Sequence, residues 1–205
     1  VKVLVACEFS GIVRDAFIKQ GHDAISCDLI PTEQEGPHII GDALQVAYSN
    51  KWDLAIFHPP CTYLANSGVR WLYGGKGTVK DYTRWGHMEK AADFFAMCLL
   101  APIPLIAVEN PVMHRYGKEI INKNIEGIVN PTIQTVQPWQ FGTPEIKATQ
   151  FWLLNLPPLL PTNIVDGRKP RVHWASPSPD RWKERSRTDK NIAEAMAIQW
   201  GDLNR

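Results

Sequence analysis

The chain opens on a continuous apolar run, Val3-Leu4-Val5-Ala6-Cys7, which suits the centre of a parallel sheet better than a half-exposed strand. Ser10 and Gly11 interrupt it, and Ile12, Val13, Ala16 and Phe17 then recur at helical spacing until Gly21. Asp23 to Leu29 begins a second strand that ends on Asp28. Strand, glycine turn, helix, strand and acid together form the opening of a nucleotide-type βαβ unit. A third strand is predicted at His38 to Ile40, leading into Gly41-Asp42, and a fourth at 53–58, running into Pro59-Pro60-Cys61. Ala65 to Arg84 mixes glycines with polar residues and is expected to be a mobile loop. Helical spacing returns from Trp85 to Leu100, and Pro104 to Glu109 reads as the next strand. Thr132 to Gln137 and Thr149 to Leu154 read as two final strands, joined through Gly142-Thr143-Pro144. From Pro157 onward the chain is rich in proline and basic residues and is expected to be irregular, closed by a helix at Ile192 to Trp200.

Alternating strands and helices predict an α/β fold, a mostly parallel sheet with helices on both faces and a terminal antiparallel hairpin strand. Ligands of such sheets bind beyond the carboxyl ends of the strands, where the strand order switches. Gly11, Asp28, Asp42, Cys61 and Glu109 all follow or end predicted strands, so they converge on one edge of the sheet.

At 205 residues the chain reads most simply as one domain. A net charge of +1 gives no global attraction to nucleic acid, although a local basic patch is enough for binding. The four cysteines, at 7, 27, 61 and 98, form no CxxC pair. That spacing argues against a zinc knuckle or disulfide framework and fits a reducing compartment. The first residues read as a buried strand rather than a signal peptide, and no apolar run reaches the roughly 20 residues of a membrane helix. A cytoplasmic protein without metal or membrane partner is expected.

Cys61 at a strand end faces the ligand edge on a rigid Pro-Pro turn, although a lone cysteine is equally read as a buried structural thiol. A nucleophilic role requires a thiolate, favoured by nearby positive charge. Glu109, ending an apolar strand, is costly to bury without a partner or a task, and a raised pKa would make it a proton donor. Asp28 suits a ribose hydroxyl and Asp42 an adenine amino group, but each is equally a cap or turn residue. The absence of GxGxxG disfavours a pyrophosphate-bearing cofactor and favours an adenosine cofactor without phosphates. Between Arg168 and Arg187, basic residues including Arg171, Arg181, Lys183, Arg185 and Arg187 are interleaved with His173, Trp174 and Trp182. Such a segment is either a solvated loop or a surface whose cations meet phosphates and whose rings stack on bases.

Phe9-Ser10-Gly11, Asp28, Asp42, Pro59-Pro60-Cys61, Glu109-Asn110 and Phe141-Gly142-Thr143-Pro144 stand in an order that resembles the DNA cytosine-5 methyltransferases, in a short form like those of bacteriophage genomes. The resemblance runs from Val3 to about Leu154, with a weaker echo at Arg185-Ser186-Arg187-Thr188. It implies a Rossmann-like class I S-adenosylmethionine-dependent methyltransferase fold. A catalytic domain would cover 1–155, a short basic insertion 156–190 would replace a target-recognition domain, and a terminal helix at 191–205 would pack back. It also implies S-adenosylmethionine as cofactor, a flipped cytosine in DNA as substrate, and a cytoplasmic location, in the host if phage-encoded. Cys61 would attack C6 of the ring while Glu109 protonates or holds N3. Phe9, Ser10, Gly11, Ile12, Asp28, Leu29, Asp42, Ala43 and Pro59 would bind the cofactor. Pro60, Asn110, Lys147, Thr149, Arg185 and Arg187 would bind the substrate.

The chain departs from the family at Val13 and Arg14, which stand in place of a second glycine pair, and at Thr62 and Pro111, which replace Gln and Val. Lys147 and Thr149 stand where the family has two arginines. With only 156–190 in the place of a recognition domain, three alternatives stay open: a separate specificity partner, a C5 transferase for RNA or a free pyrimidine nucleotide, and a catalytically silent relative that binds nucleic acid or protein.

Overall fold

The computed structural model describes residues 1–74, 77–170 and 181–203. Arg171, His173 and Trp174, part of the basic segment noted above, lie outside the described residues. Seven strands form the main sheet: β1 (Lys2–Ala6), β2 (Asp23–Asp28), β3 (His38–Ile40), β4 (Leu54–Phe57), β7 (Leu105–Pro111), β8 (Thr132–Val136) and β9 (Thr149–Leu154). Their order is β3-β2-β1-β4-β7-β9-β8. β1 pairs in parallel with β2 and β4, β2 with β3, and β4 with β7. β9 enters antiparallel between β7 and β8, which is the terminal antiparallel strand expected from the sequence.

Side chains alternate across this sheet with period two, and each parity builds its own core. Leu4, Ala6, Ala55, Phe57, Ile106, Val108 and Trp152 face one layer of helices: α2 (Ala43–Ser49), α3 (Tyr82–Leu99) and α4 (Arg115–Ile125). Val3, Val5, Leu54, Ile56, Ala107, Phe151 and Leu153 face α1 (Ile12–Lys19) and the C-terminal helix Lys190–Gly201. That last helix is fastened to the sheet by Trp200, which meets Phe151 edge-on at 5.7 Å and donates its indole N–H to Pro157 O at 3.0 Å. No helix among the described residues is long and apolar enough to cross a membrane.

Two expectations are corrected. Ala65 to Arg84 is not an unstructured loop: a 3₁₀ helix at Asn66–Leu72 leads into a small antiparallel pair, β5 (Tyr73–Gly74) and β6 (Val79–Lys80), and α3 begins at Tyr82. Leu64 and Leu72 are buried anchors for this segment, and Asp81 caps α3 by accepting from Arg84 N at 3.0 Å. The segment after Pro157 is also less irregular than expected. Leu159 is buried and exchanges two 2.7 Å hydrogen bonds with the Gln134 side chain, and Arg181–Ser186 forms a short helix.

Candidate active site

The strand order reverses between β1 and β4, so the carboxyl ends of these strands and their neighbours open the ligand edge. β1 is followed by Cys7, which takes a left-handed φ of 58°, a conformation that costs a non-glycine residue about 1–2 kcal/mol. The turn sends Glu8 inward beneath the start of α1. Its carboxylate accepts from Val13 N at 2.7 Å and Ser10 Oγ at 3.1 Å on one oxygen, and from Arg14 N at 3.2 Å on the other. Gly11, at φ 74°, makes the entry into the helix. Burial raises the pKa of Glu8, while His58 and these hydrogen bonds pull it down.

This carboxylate limits what the turn before α1 can accept. The N-terminus of a helix after the first strand is a ready site for a phosphate, but here Val13 N and Arg14 N are taken by Glu8 and Ile12 N by Ser10 Oγ. A second anion would meet both a satisfied donor set and a neighbouring acidic group. A cofactor without phosphates, carrying positive charge, meets neither obstacle.

Arg14, at the position where a glycine was noted as missing, is fully buried. Its guanidinium donates to Asp15 Oδ1 at 2.8 Å, Ser26 Oγ at 3.1 Å, Thr32 Oγ1 at 3.3 Å and Gln34 O at 3.1 Å. It therefore holds the β2–β3 loop against the Phe9–Gly11 turn, where Glu33 N also donates to Phe9 O at 2.7 Å. The altered loop is a built feature, in which a hydrogen-bonded cation replaces the room that glycines leave.

Asp28 and Asp42 stand at the ends of β2 and β3, as expected, and both also serve the backbone. Asp28 Oδ1 accepts from Ile30 N at 3.3 Å, and Asp42 Oδ1 caps α2 through Gln45 N at 2.9 Å. Beside them Leu29 and Ile40 remain 74% and 62% exposed, an uncovered apolar surface next to two acids. Carboxylates for hydroxyl and amino groups, an apolar face for a flat ring and a helix start closed to phosphate fit an adenosyl group bearing a cationic sulfur. Ile12 packs partly against the core, and Ala43 is buried at the start of α2, so their side chains serve packing.

β4 and β7 are adjacent and parallel; Cys61 follows β4 by four residues, and Glu109 lies in β7 just past the last pair that β7 makes with β4. Asn110, fully buried, ties the two segments by donating from Nδ2 to Pro59 O at 3.3 Å. Pro60 is exposed beside the half-buried Cys61, and the Cys61 carbonyl accepts from Leu64 N and Ala65 N. The thiol therefore rides on a hydrogen-bonded turn. Burial pushes the Cys61 thiol up and Glu109 adds to that, whereas Arg185 and Lys147 pull it back.

One residue of this site carried no sequence signal. His58, the first residue after β4, places Nδ1 3.1 Å from Glu109 Oε2, while its Nε2 is buried without a hydrogen-bond partner. Glu109 is thus held by an imidazole rather than by an arginine.

Lys147 and Thr149 line one small cavity with Glu109, Ser186 and Thr188, so the structure brings the expected substrate residues to the acid. Lys147 Nζ donates to Arg187 O at 2.7 Å. Arg187 itself forms a bidentate pair with Glu33, at 2.8 and 2.9 Å, and Trp182 lies against Phe9 with ring centroids 5.5 Å apart. The segment Arg181–Arg187 therefore straps the cofactor loop to the β8–β9 side of the cleft. Arg185 is exposed and near enough to Cys61 to lower its pKa, and Arg168 lies over the Trp139 ring at 3.6 Å.

No protein-family model and no curated protein matches the sequence. Among solved structures, the chain is similar to an Escherichia coli prophage-encoded protein described as a DNA modification methyltransferase, with 15% identity and a TM-score of 0.51 over 81% of this chain and 52% of that one. It is also similar to the Entamoeba histolytica methyltransferase EhMeth, with 15% identity and a TM-score of 0.51 over 87% of this chain and 60% of that one. The chain spans little more than half the length of these proteins and shares their fold.

Proposed function

We propose that this chain transfers a methyl group from S-adenosylmethionine to C5 of cytosine in a nucleic acid, DNA in the first instance, through a covalent adduct on Cys61. The observation that carries this reading is that Cys61, four residues past β4, and Glu109, one residue past the last β4–β7 pair, stand on adjacent parallel strands close enough for Glu109 to raise the thiol's pKa. Together they can engage one planar ring. The fold shared with methyltransferases supports it.

C5 of cytosine is a weak nucleophile until the ring is activated covalently. The Cys61 thiolate adds to C6, and Glu109 holds or protonates N3 as electron density moves into the ring. When bound, S-adenosylmethionine supplies the methyl group as an electrophile. Loss of the C5 proton to a base and expulsion of the Cys61 thiolate then restore the aromatic ring. His58 keeps the Glu109 carboxyl turned toward the ring, and Lys147 and Arg185 bring positive charge that favours the thiolate. Asp28 and Asp42 would hold the hydroxyl and amino groups of the adenosyl portion, against Leu29.

The direct test incubates the protein with tritiated S-adenosylmethionine and separate pools of DNA, RNA and pyrimidine nucleotides. Label is expected in DNA; label only in RNA or nucleotide would redirect the substrate, and none in any pool would leave a silent binding protein. The cofactor assignment makes its own prediction. Asp28→Ala should weaken S-adenosylmethionine binding by about 1.5–3 kcal/mol, the worth of a hydrogen bond to a charged group, as measured by calorimetry. Unchanged affinity would remove Asp28 from the cofactor site.

A further inference from the structure

Between the nucleophile turn and α4 the surface repeats one motif, a cation lying over an aromatic ring. Arg70 lies 4.7 Å from the Trp71 ring, Lys80 4.1 Å from Trp85 and 5.4 Å from Tyr82, Arg84 5.1 Å from Tyr63, and Arg115 4.7 Å from Tyr116. Three rings meet at its centre, Trp85 lying 5.1 Å from Tyr116 and 6.0 Å from Tyr73. Trp71 and Tyr82 are 56% and 77% exposed, so both rings are open to a ligand. The segment is also anchored. Trp85 donates its indole N–H to Leu72 O at 3.2 Å, and His114 Nε2 lies 2.9 Å from Tyr63 O.

We infer that this surface, built on the 3₁₀ helix, the β5–β6 pair and the first turns of α3 and α4, is a binding platform for an unpaired polynucleotide strand that leads into the Cys61 site. This deepens the proposed function and rests on it for the identity of the site. Charge complementarity chooses the occupant. Arg70, Lys80, Arg84 and Arg115 gather here, and the carboxylate of Asp81 is engaged in capping α3. Glu119 lies close enough to Arg115 to influence it, leaving the patch positive. Arg84, half-buried over the Tyr63 ring, brings one of these cations to the turn that follows Cys61.

The rings then choose the unpaired strand over the duplex. In a duplex the base faces are covered by their neighbours, and only phosphates and groove edges remain for recognition. An unpaired strand offers both a phosphate and a base face at each nucleotide. A phosphate that draws a cation off its ring frees that ring to stack on a base, and such stacking outweighs an exposed cation–π pair. A platform of this kind tolerates many sequences, because every base has a π face.

The test measures fluorescence anisotropy of one labelled oligonucleotide, as a DNA strand, as the matching RNA strand, and annealed to its complement, with the full chain at several salt concentrations. The DNA strand is expected to bind more tightly than the duplex. Trp71→Ala with Tyr82→Ala should weaken strand binding by about 100-fold, roughly tenfold per ring, with a much smaller effect on the duplex. Trp71→Phe should retain most of the affinity. Arg70→Gln with Lys80→Gln should flatten the dependence of log affinity on log salt. Duplex binding tighter than strand binding, or ring substitutions that leave strand affinity unchanged, would overturn the platform. If the RNA strand alone binds through these rings, the platform stands with RNA as its occupant. Failure here is distinguishable from failure of the proposed function. Strand binding through these rings without methyl transfer by the wild type leaves the platform and removes the reaction, and methyl transfer that ignores the rings does the reverse.

Discussion

Cys61→Ala is expected to lower methyl transfer by at least about 10⁴-fold, to background, because loss of a covalent nucleophile removes the step on which the others depend. Cofactor binding should survive nearly unchanged, since Cys61 follows β4 and the acids proposed to hold the adenosyl group stand at the ends of β2 and β3. The thiol's environment adds a pH dependence with a defined sign. Burial and Glu109 raise the thiol's pKa, so the unliganded protein carries it protonated at neutral pH. The rate should rise as pH climbs through the thiol's titration. Arg185 and Lys147 lower that pKa, so Arg185→Gln should move the rise to higher pH. Steady-state transfer from labelled cofactor, measured across pH, checks both effects. A pH profile unmoved by Arg185→Gln would detach that arginine from the nucleophile.

Glu109→Gln is expected to slow transfer by about 10²–10⁴-fold, the usual worth of a positioned proton donor. The amide keeps the shape of the side chain and can still accept from His58 at the observed 3.1 Å, so the loss reports the carboxyl group itself. Because Cys61 and Glu109 act on one step, their effects should not add: the double variant should be no slower than Cys61→Ala. Single-turnover rates measure this without interference from product release. A Glu109→Gln rate within a few-fold of wild type would leave Glu109 as a structural partner of His58 and no more.

The parts of this molecule that were legible in its sequence are those where many residues repeat one physical demand. Strands buried on both faces must be apolar throughout, so Val3–Ala6, Leu54–Phe57 and Ile106–Val108 declared the sheet. Their ends then marked the cleft, including Cys61 and Glu109. Where a single side chain does the work, no pattern exists to read. Glu8 caps α1 from outside the helix, and His58 orients Glu109 across 51 residues of sequence. Arg14 looked like a defect in a glycine loop until its partners, 12 to 20 residues away, were in place. The β5–β6 segment hid for a different reason. Its strands are two residues long, and its order comes from ring–cation and ring–ring contacts that follow neither a period of two nor one of 3.6. α4 is capped by His114, whose ring Nδ1 accepts from Gly117 N at 3.2 Å; histidine is not among the usual capping residues, so the start signal was missing.

Covalent trapping on DNA carrying 5-fluorocytosine tests the central claim most directly, because fluorine cannot leave C5 as a proton does and the ring stays attached to its nucleophile. Incubated with S-adenosylmethionine, the wild-type protein should form a denaturation-resistant complex, and peptide mapping by mass spectrometry should place the linkage on Cys61. Cys61→Ala should form none. A wild-type protein that methylates cytosine without forming the complex, or a Cys61→Ala protein that still transfers methyl groups, would contradict the covalent mechanism.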